Sequence, residues 1–566
     1  PGFHAFDLYK WTPEKARFFN TTRPYTELGY ILGSQTQQMI EILHTQNIKP
    51  HWNFSLQYRL INAPGFFKNH KTNHNNYQFT SWYQSPNRRY SNFIVATANV
   101  LQAGENGGIE DVRLLDDPDY SQRFSIPTRI GGNTPFGRDF FSSRLTTGHR
   151  HKELHAVMRQ QYDLGRKDSL VTDSTVIPLF YPRLRFEHTF KYGDYNYRFQ
   201  DPSNSSIGYA PDSAYYFDNY NITLNPFVKP GDTVVLYDGW REISNDFSIY
   251  QFPVANNLQQ FIKAGIRYQL LQGAFSNGAT PVLYNLMAHG EYRNLTRNRK
   301  WDLGAFGNLY INGYNAGDYH AYVSLQRLIS AKLGSLQVGF ENINQSPSFL
   351  YDGRSAFYRD APKTFNKQNT THFFGSLVNP ALKLQLRADY YLLSNYLYLK
   401  QYSKLQQEGA IFNLLRVSAH KTFDISRHWK WHADLYVQQK AGNAELNVPL
   451  VFTRNRLAFE GNFFKNLHLA TGLEVKYHTP YKADDYSPAL GQFFYQDSIT
   501  ISNRPEVAAY FNFRIRSFKA YVRAENLNAV SFDEAGFGFR SNNLAAPAYP
   551  YPGMVIRVGI YWSFVN

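Results

Sequence analysis

The densest set of potential metal ligands in the sequence is the stretch His149-Arg-His-Lys-Glu-Leu-His155. Side chains alternate along a β-strand, so His149, His151 and His155 would share one face, and two of them two residues apart could chelate a borderline metal such as Zn²⁺. In a helix, His151 and His155 would lie four residues apart on one face, but the intervening Lys-Glu-Leu does not follow the H-E-x-x-H order of metalloproteases. The three histidines are therefore candidate metal ligands, with the alternative that they form the polar face of a strand.

A second set of chemically interesting side chains is basic and falls on the polar faces of alternating segments after Gln260. Such residues could line a pore and favour anions, because rings of fixed charge set pore selectivity. They could also pair with acidic residues of adjacent strands and form charge ladders. The pore-lining hypothesis names Lys263, Arg267, Lys383, Arg387, Arg456, Lys476, Arg514, Arg523 and Arg557.

The segments that must position these residues read as β-strands with one apolar and one polar face. In the last of them, Met554–Asn566, every second residue is apolar, and the apolar set ends in Trp562 and Phe564. Aromatic residues at strand ends are typical of the girdles of transmembrane barrels. The alternation predicts about 14 strands after Gln260 and about eight before it, hence about 22 in total within a range of about 16–22.

The connections between these segments alternate in length, which predicts an all-β, up-and-down, antiparallel transmembrane barrel. Short links such as Arg516–Phe518 would be periplasmic turns, and long links such as Asn528–Gly553 would be extracellular loops. We expect residues 1–24 to form a periplasmic lead-in and residues 25–566 to form a single barrel in the outer membrane of a Gram-negative cell. Longer irregular stretches are predicted at Gly165–Phe180 and Tyr192–Asp232.

Composition agrees with many strands that are each apolar on one side. Aromatic residues make up 17% of the 566-residue chain, and the mean hydropathy is −0.48. No run of 18 apolar residues occurs, which excludes transmembrane helices by pattern. The chain has no cysteine and a net charge of +15. No nucleic-acid-binding motif accompanies the charge, and no hydrolase, P-loop or metalloprotease motif is present, so we expect neither an enzyme nor a cofactor.

Two motifs carry a family resemblance: Phe18-Phe-Asn-Thr-Thr-Arg-Pro-Tyr-Thr-Glu-Leu-Gly-Tyr30 near the start, and Tyr486-Ser-Pro-Ala-Leu-Gly-Gln-Phe-Phe-Tyr-Gln496. With Gly33-Ser-Gln35 and Thr45–Pro50, they make the chain resemble the putative porins of the Bacteroidota, a family of outer-membrane β-barrels. The resemblance implies fold and compartment, and it implies no binding residue. The chain opens at Pro1 without a signal-peptide pattern, and we interpret it as a mature chain after signal-peptide removal.

The function predicted from these features is a porin-like channel for the passive passage of small solutes, with a modest preference for anions. The alternative is a non-enzymatic barrel subunit or scaffold of an outer-membrane complex for secretion, assembly or surface lipoproteins. A receptor with an N-terminal plug domain is not favoured, because strands begin near Tyr25. Expected partners are outer-membrane lipids and lipopolysaccharide, and further outer-membrane proteins or surface lipoproteins; nucleic acid is not expected.

Overall fold

The structure, a computed structural model, describes residues 2–132, 145–171, 176–224, 233–254, 257–361, 363–463, 466–533 and 536–565. Within them the chain forms a 22-stranded sheet in which all neighbours pair antiparallel. The barrel strands are β1 Tyr25–Gly33, β2 Gln37–Lys49, β3 Trp52–Ala63, β4 Thr72–Gln84, β5 Tyr90–Gly104, β6 Gly148–Val171, β7 Val176–Pro202, β8 Thr233–Gln251, β9 Gln260–Phe275, β10 Val282–Leu295, β11 Trp301–Gly313, β12 Tyr319–Ser330, β13 Gly334–Gln345, β14 Gln368–Asn379, β15 Leu384–Ser394, β16 Phe412–Asp424, β17 Trp429–Ala441, β18 Val451–Phe463, β19 Leu467–His478, β20 Glu506–Ile515, β21 Phe518–Glu525 and β22 Val555–Val565.

The sheet closes into a barrel because β1 pairs with β2 on one side and with β22 on the other, with Tyr25 opposite Val565. The predicted strand count, the eight strands before Gln260 and the transmembrane barrel are confirmed. On β22 the predicted apolar set faces outward: Ile556 and Trp562 are 44% and 47% exposed, as expected of side chains that meet lipid. No helix of the described residues has the length and apolarity needed to span a bilayer.

Most of the remaining secondary structure lies in the outer loops. They hold helix α1, Ser213–Tyr220, and four short hairpins, Tyr396–Lys400 with Lys404–Glu408, Asp485–Ser487 with Gln492–Phe494, Val530–Asp533 with Gly536–Phe539, and Leu544–Ala546 with Tyr549–Pro550. Single 3₁₀ turns occur at Pro13–Lys15, Ser34–Thr36, Val112–Leu115, Pro118–Tyr120, Arg123–Ser125, Ser205–Ile207, Phe349–Tyr351 and Leu527–Ala529. The loops at this end of the barrel are therefore partly folded structures.

The prediction of an irregular stretch at Gly165–Phe180 is wrong, because β6 extends into it as far as Val171 and β7 begins within it at Val176. They continue as a hairpin on the periplasmic side, past Tyr162 and Leu184, where pairing with β5 and β8 ends. Pro182 pairs with Gly165 in this hairpin, although proline cannot donate a ladder hydrogen bond. Its position is compatible with a strand here because β7 has no neighbour on that edge, and edge strands tolerate proline.

Residues 2–20 lie inside the barrel, which differs from the predicted periplasmic lead-in at 1–24. Backbone atoms of this segment bond to inward side chains of the wall: Trp11 N donates to Asn99 Oδ1 (3.0 Å), and Asn76 Nδ2 donates to the Tyr9 carbonyl (2.9 Å). Phe3 reaches the outer loops, with its ring 4.8 Å from that of Phe357. The polar wall satisfies the backbone groups of a segment that has no sheet partner of its own.

The outward face of β13 provides a test of which side chains meet lipid. Val338 is 51% exposed on this face, and its neighbour Gln337 points into the lumen. We expect Val338→Arg to cost roughly 2–4 kcal/mol if the residue lies near the bilayer midplane, because lipid does not solvate the guanidinium. Gln337→Arg should be tolerated. Folding titrations into lipid vesicles compare the two variants, and equal losses of stability would contradict the assignment of faces.

Candidate functional site

Hydrophobic side chains from five outer loops meet inside the outer mouth of the barrel and pack with Phe3 into one cluster, here called the outer cap. The loops follow β5, β7, β13, β15 and β19, so they come from positions all around the ring of strands. The cap rests on inward side chains of β7, β8 and β9 such as Tyr197 and Trp240. Its members from the loops and the N-terminal segment are Phe3, Ile130, Tyr216, Tyr220, Phe349, Leu350, Ala356, Phe357, Tyr358, Leu399, Leu405, Ala489, Leu490 and Phe494.

Close aromatic contacts connect the cap to the wall. The ring of Phe3 stacks on Tyr197 with centroids 4.1 Å apart, and Trp240 meets Phe349 edge to face at 4.6 Å. Phe357 is 1% exposed, and Tyr220 is fully buried. Such pairs stabilise by about 0.5–1.5 kcal/mol each beyond the burial of their area. The cap is therefore a buried hydrophobic cluster held by direct contacts between aromatic rings.

Buried polar groups also join the loops to the wall and to one another. Asp238 of β8 accepts hydrogen bonds from Ser355 Oγ (2.6 Å) and from the Ala356 backbone N–H (2.9 Å) in the loop after β13. Ser487 Oγ in the loop after β19 lies 3.2 Å from Tyr220 Oη in the loop after β7. Opening the cap would leave these buried groups to find other partners, which raises the cost of opening.

Glu105, directly after β5, is a buried carboxyl at the edge of the cap. Its Oε1 accepts a hydrogen bond of 2.8 Å from Tyr486 Oη, and His149 Nε2 lies 4.0 Å away. Burial raises the pKa of Glu105 to about 8, and the hydrogen bond from Tyr486 lowers it in part. The carboxyl is therefore protonated at neutral pH and links two outer loops without a charge.

This geometry predicts that rising pH weakens the outer cap. The pKa of Glu105 lies near 4.5 when the residue is solvated and near 8 in the closed cap, so only the closed form holds the proton between these values. Stability should fall as pH rises through this window, because the form that binds fewer protons gains. Glu105→Gln should remove this part of the dependence. Thermal unfolding midpoints across the window measure it, and identical pH profiles for the two proteins would contradict it.

The candidate metal ligands are buried under the N-terminal segment. His149 and His151 are 1% and 2% exposed, and the ring of Phe6 lies 4.7 Å from that of His151. His149 Nε2 lies 2.6 Å from the Pro488 carbonyl of the loop after β19. Across the described residues, no group of three His, Cys, Asp or Glu side chains is arranged to hold a metal ion. His149, His151 and His155 thus share a face, as the alternation predicts, and pack against aromatic rings.

Most of the hypothesised pore-lining cations are paired with carboxylates. Lys263 contacts Glu187 at 3.3 Å, Arg267 contacts Asp246 at 3.0 Å, and Arg387 contacts Asp389 at 2.7 Å. The other paired members are Lys383 with Asp424, Lys476 with Glu474, Arg523 with Glu474 and Glu525, and Arg557 with Glu525. Among the described residues, Arg456 and Arg514 make no ion pair. The arrangement matches the charge-ladder alternative for seven of the nine residues.

Two buried carboxylates in the lumen, Glu474 and Asp389, each contact several cationic side chains. Glu474 of β19 is 1% exposed and lies 2.5 Å from Arg454 and 2.7 Å from Arg523. Asp389 of β15 is likewise surrounded by Arg387, Arg416 and His372. Sequence periodicity placed these side chains inward, but it could not assign partners because strand register was unknown.

Sequence reasoning missed the outer cap. Its residues lie in stretches without periodicity, and only their aromatic content distinguishes them from solvated loops. Phe349-Leu-Tyr351 and Ser355-Ala-Phe-Tyr358 are apolar runs inside a predicted surface loop. Apolar runs of this kind in a long loop are the signal that could have predicted packing, because solvated loops are usually polar.

A family model described as "Putative porin" matches residues 1–566 of the chain. No curated protein sequence matches it. Among solved structures, the barrel resembles a mutant of the ferric enterobactin receptor PfeA from Pseudomonas aeruginosa, at 9% identity and a TM-score of 0.62, over 96% of this chain and 81% of that one. It also resembles the siderophore receptor PirA from Acinetobacter baumannii, at 8% identity and a TM-score of 0.61, over 97% and 81% of the chains. A third similar structure is named copper transporter OprC, at 11% identity and a TM-score of 0.63, over 97% of this chain and 81% of that one.

At such low identity these likenesses establish a shared fold, and with the family match they place the protein in the outer membrane. The prediction of a passive, porin-like channel with anion preference is wrong. The solved barrels that the chain resembles are named as siderophore receptors and a metal transporter, and not as porins. In addition, seven of the nine cations behind the predicted anion preference are paired with carboxylates.

Proposed function

This protein belongs to the family described as "Putative porin", and we propose that it is a receptor-type transporter of the outer membrane, closed at rest and opened by a bound ligand. The observation that carries the proposal is the outer cap, in which loops from all around the barrel pack with Phe3. A pore for free diffusion needs a permanent water-filled path, whereas a packed apolar cluster at the mouth excludes water.

A metal chelate is the ligand class that we propose, on the basis of the fold neighbours named for ferric enterobactin, siderophores and copper. The outer loops also present large apolar side chains to solvent outside the cap. Phe217, Phe493 and Phe539 are 54%, 63% and 60% exposed. Exposed aromatic residues at a barrel mouth are suited to an initial contact with an aromatic chelator, because they lose little entropy on binding.

Planar-bilayer recordings of the purified protein test the proposal. We expect no steady conductance at rest, because the outer cap closes the mouth. Ferric enterobactin and Cu²⁺ serve as probes of the ligand class, and the emission of Trp240, which packs inside the cap, reports opening. A Trp240→Phe variant shows how much of the fluorescence change comes from Trp240. A stable, voltage-independent conductance without ligand would contradict the proposal.

A further inference from the structure

A cavity of about 780 Å³ lies at the opposite, periplasmic end of the lumen, between the inward faces of β17 to β22. Its lining includes Arg427 and His428 of the turn between β16 and β17, so the cavity reaches the periplasmic rim. The wall continues upward through Tyr521 and Tyr561. The N-terminal segment follows the wall on the other side of β1 and contacts β3 to β5.

The charge of this cavity is strongly one-sided. Four cations line it, Arg427, Lys430, Arg514 and Lys519, together with His428 and His468. The sole carboxylate among the lining residues is Glu460, and Lys430 already pairs with it at 2.5 Å. In the described part of the chain, Arg427, Arg514 and Lys519 have no ion-pair partner. All three side chains belong to exposed residues.

The middle of the lumen shows the opposite arrangement, which makes the contrast informative. There, Arg454 and Arg523 both contact Glu474. Unpaired like charges that line one cavity repel each other, and a bound anion would relieve this repulsion. The unpaired cations of the cavity therefore carry positive charge that the carboxylates of a bound molecule would neutralise.

The positive charge extends from the cavity around the periplasmic rim. The described residues of the short turns include no Asp or Glu, but they carry Arg88, Arg89, Arg297, Arg299, Lys300, Lys332, Lys383, Arg427 and Arg516. Within this set, Lys383 alone forms an ion pair, with Asp424 of β16. A basic surface that continues beyond a pocket favours an extended polyanion over a compact one.

We propose that this cavity is a docking site for an acidic polypeptide segment of a periplasmic partner, whose carboxylates pair with Arg427, Arg514 and Lys519. Lipid headgroups do not fit the position, because the lining side chains project into the lumen and away from the bilayer. The phenols of Tyr521 and Tyr561 add hydrogen-bond donors for peptide or carboxylate oxygens. The site is independent of the outer cap and does not rest on ligand uptake.

Fluorescence anisotropy with a fluorescein-labelled hexaglutamate peptide, on the full chain in nanodiscs, tests the site. Binding should weaken as salt is added. The triple variant Arg427→Gln, Arg514→Gln, Lys519→Gln should bind roughly tenfold more weakly, the loss expected for three exposed ion pairs. These residues lie outside the buried pairs of the lumen, so the variant should fold, which its unchanged thermal midpoint would show.

A matched variant separates the cavity from the charged rim. Arg297→Gln, Arg299→Gln, Lys300→Gln removes three cations from a turn remote from the cavity, and it should weaken binding much less than the cavity variant. Hexaglutamine should not bind. Equal weakening in both triple variants would overturn the cavity as the site. Failure of hexaglutamate to bind the wild type, or displacement of it by equimolar citrate, would overturn the acidic-segment proposal, in the second case in favour of a small polycarboxylate.

Discussion

Phe357→Ala is expected to open the barrel. The side chain is 1% exposed and meets Phe3 edge to face within the outer cap. Truncating a buried phenylalanine costs about 3–5 kcal/mol. This cost destabilises the closed form, because only that form buries the ring. The closed-to-open ratio should therefore fall by roughly two to four orders of magnitude. Planar bilayers should record opening steps that the wild type lacks.

Phe493→Ala is the control for this variant. Phe493 lies in the loop after β19, beside Phe494 of the cap, and is 63% exposed. Its truncation removes the same ring without removing cap packing, so the barrel should stay silent. Conductance in both variants would show that loop mutations disturb the barrel in general, and silence in both would show that the cap does not close the mouth.

Glu474→Gln is expected to destabilise the barrel strongly. The carboxylate is buried and holds Arg454 and Arg523 from two other strands, so the amide would leave two guanidinium groups facing each other. Breaking a buried ion pair costs about 3–5 kcal/mol. We expect the lower end, about 3 kcal/mol, because both arginines are partly solvated. Urea unfolding of the barrel in detergent measures the loss.

Arg514→Gln provides the comparison, since Arg514 lies on the neighbouring strand β20 and makes no ion pair among the described residues. Its unfolding midpoint should equal that of the wild type or exceed it. If Glu474→Gln unfolds at the wild-type midpoint as well, the lumen carboxylates do not stabilise the barrel through their cations.

The barrel itself could be predicted from sequence because each strand has two different environments. On β22, lipid on one side and the lumen on the other impose the two-residue period, which leaves Ile556 outside and Arg557 inside. The same two-residue period places His149, His151 and His155 together. Turn lengths supplied the orientation, since short turns and long loops separate by side in outer-membrane barrels.

The outer cap and the placement of residues 2–20 could not be predicted in this way. Their contacts join residues far apart in sequence, such as Phe3 with Phe357 and Tyr220 with Ser487. No period marks such contacts, because irregular segments pack by shape rather than by alternation. The function predicted from sequence failed for the same reason: inward cations were visible, but the carboxylates that neutralise them and the loops above them were not.

Closure of the outer cap at rest is the central claim, and cysteine labelling on intact cells tests it most directly. The chain has no cysteine of its own, so a single introduced thiol gives an unambiguous signal. Ala489 is 1% exposed inside the cap, and Phe493 in the same loop is 63% exposed. With a membrane-impermeant maleimide, Phe493→Cys should label quickly and Ala489→Cys should stay unlabelled. Equal labelling of the two thiols on folded protein would contradict a closed cap.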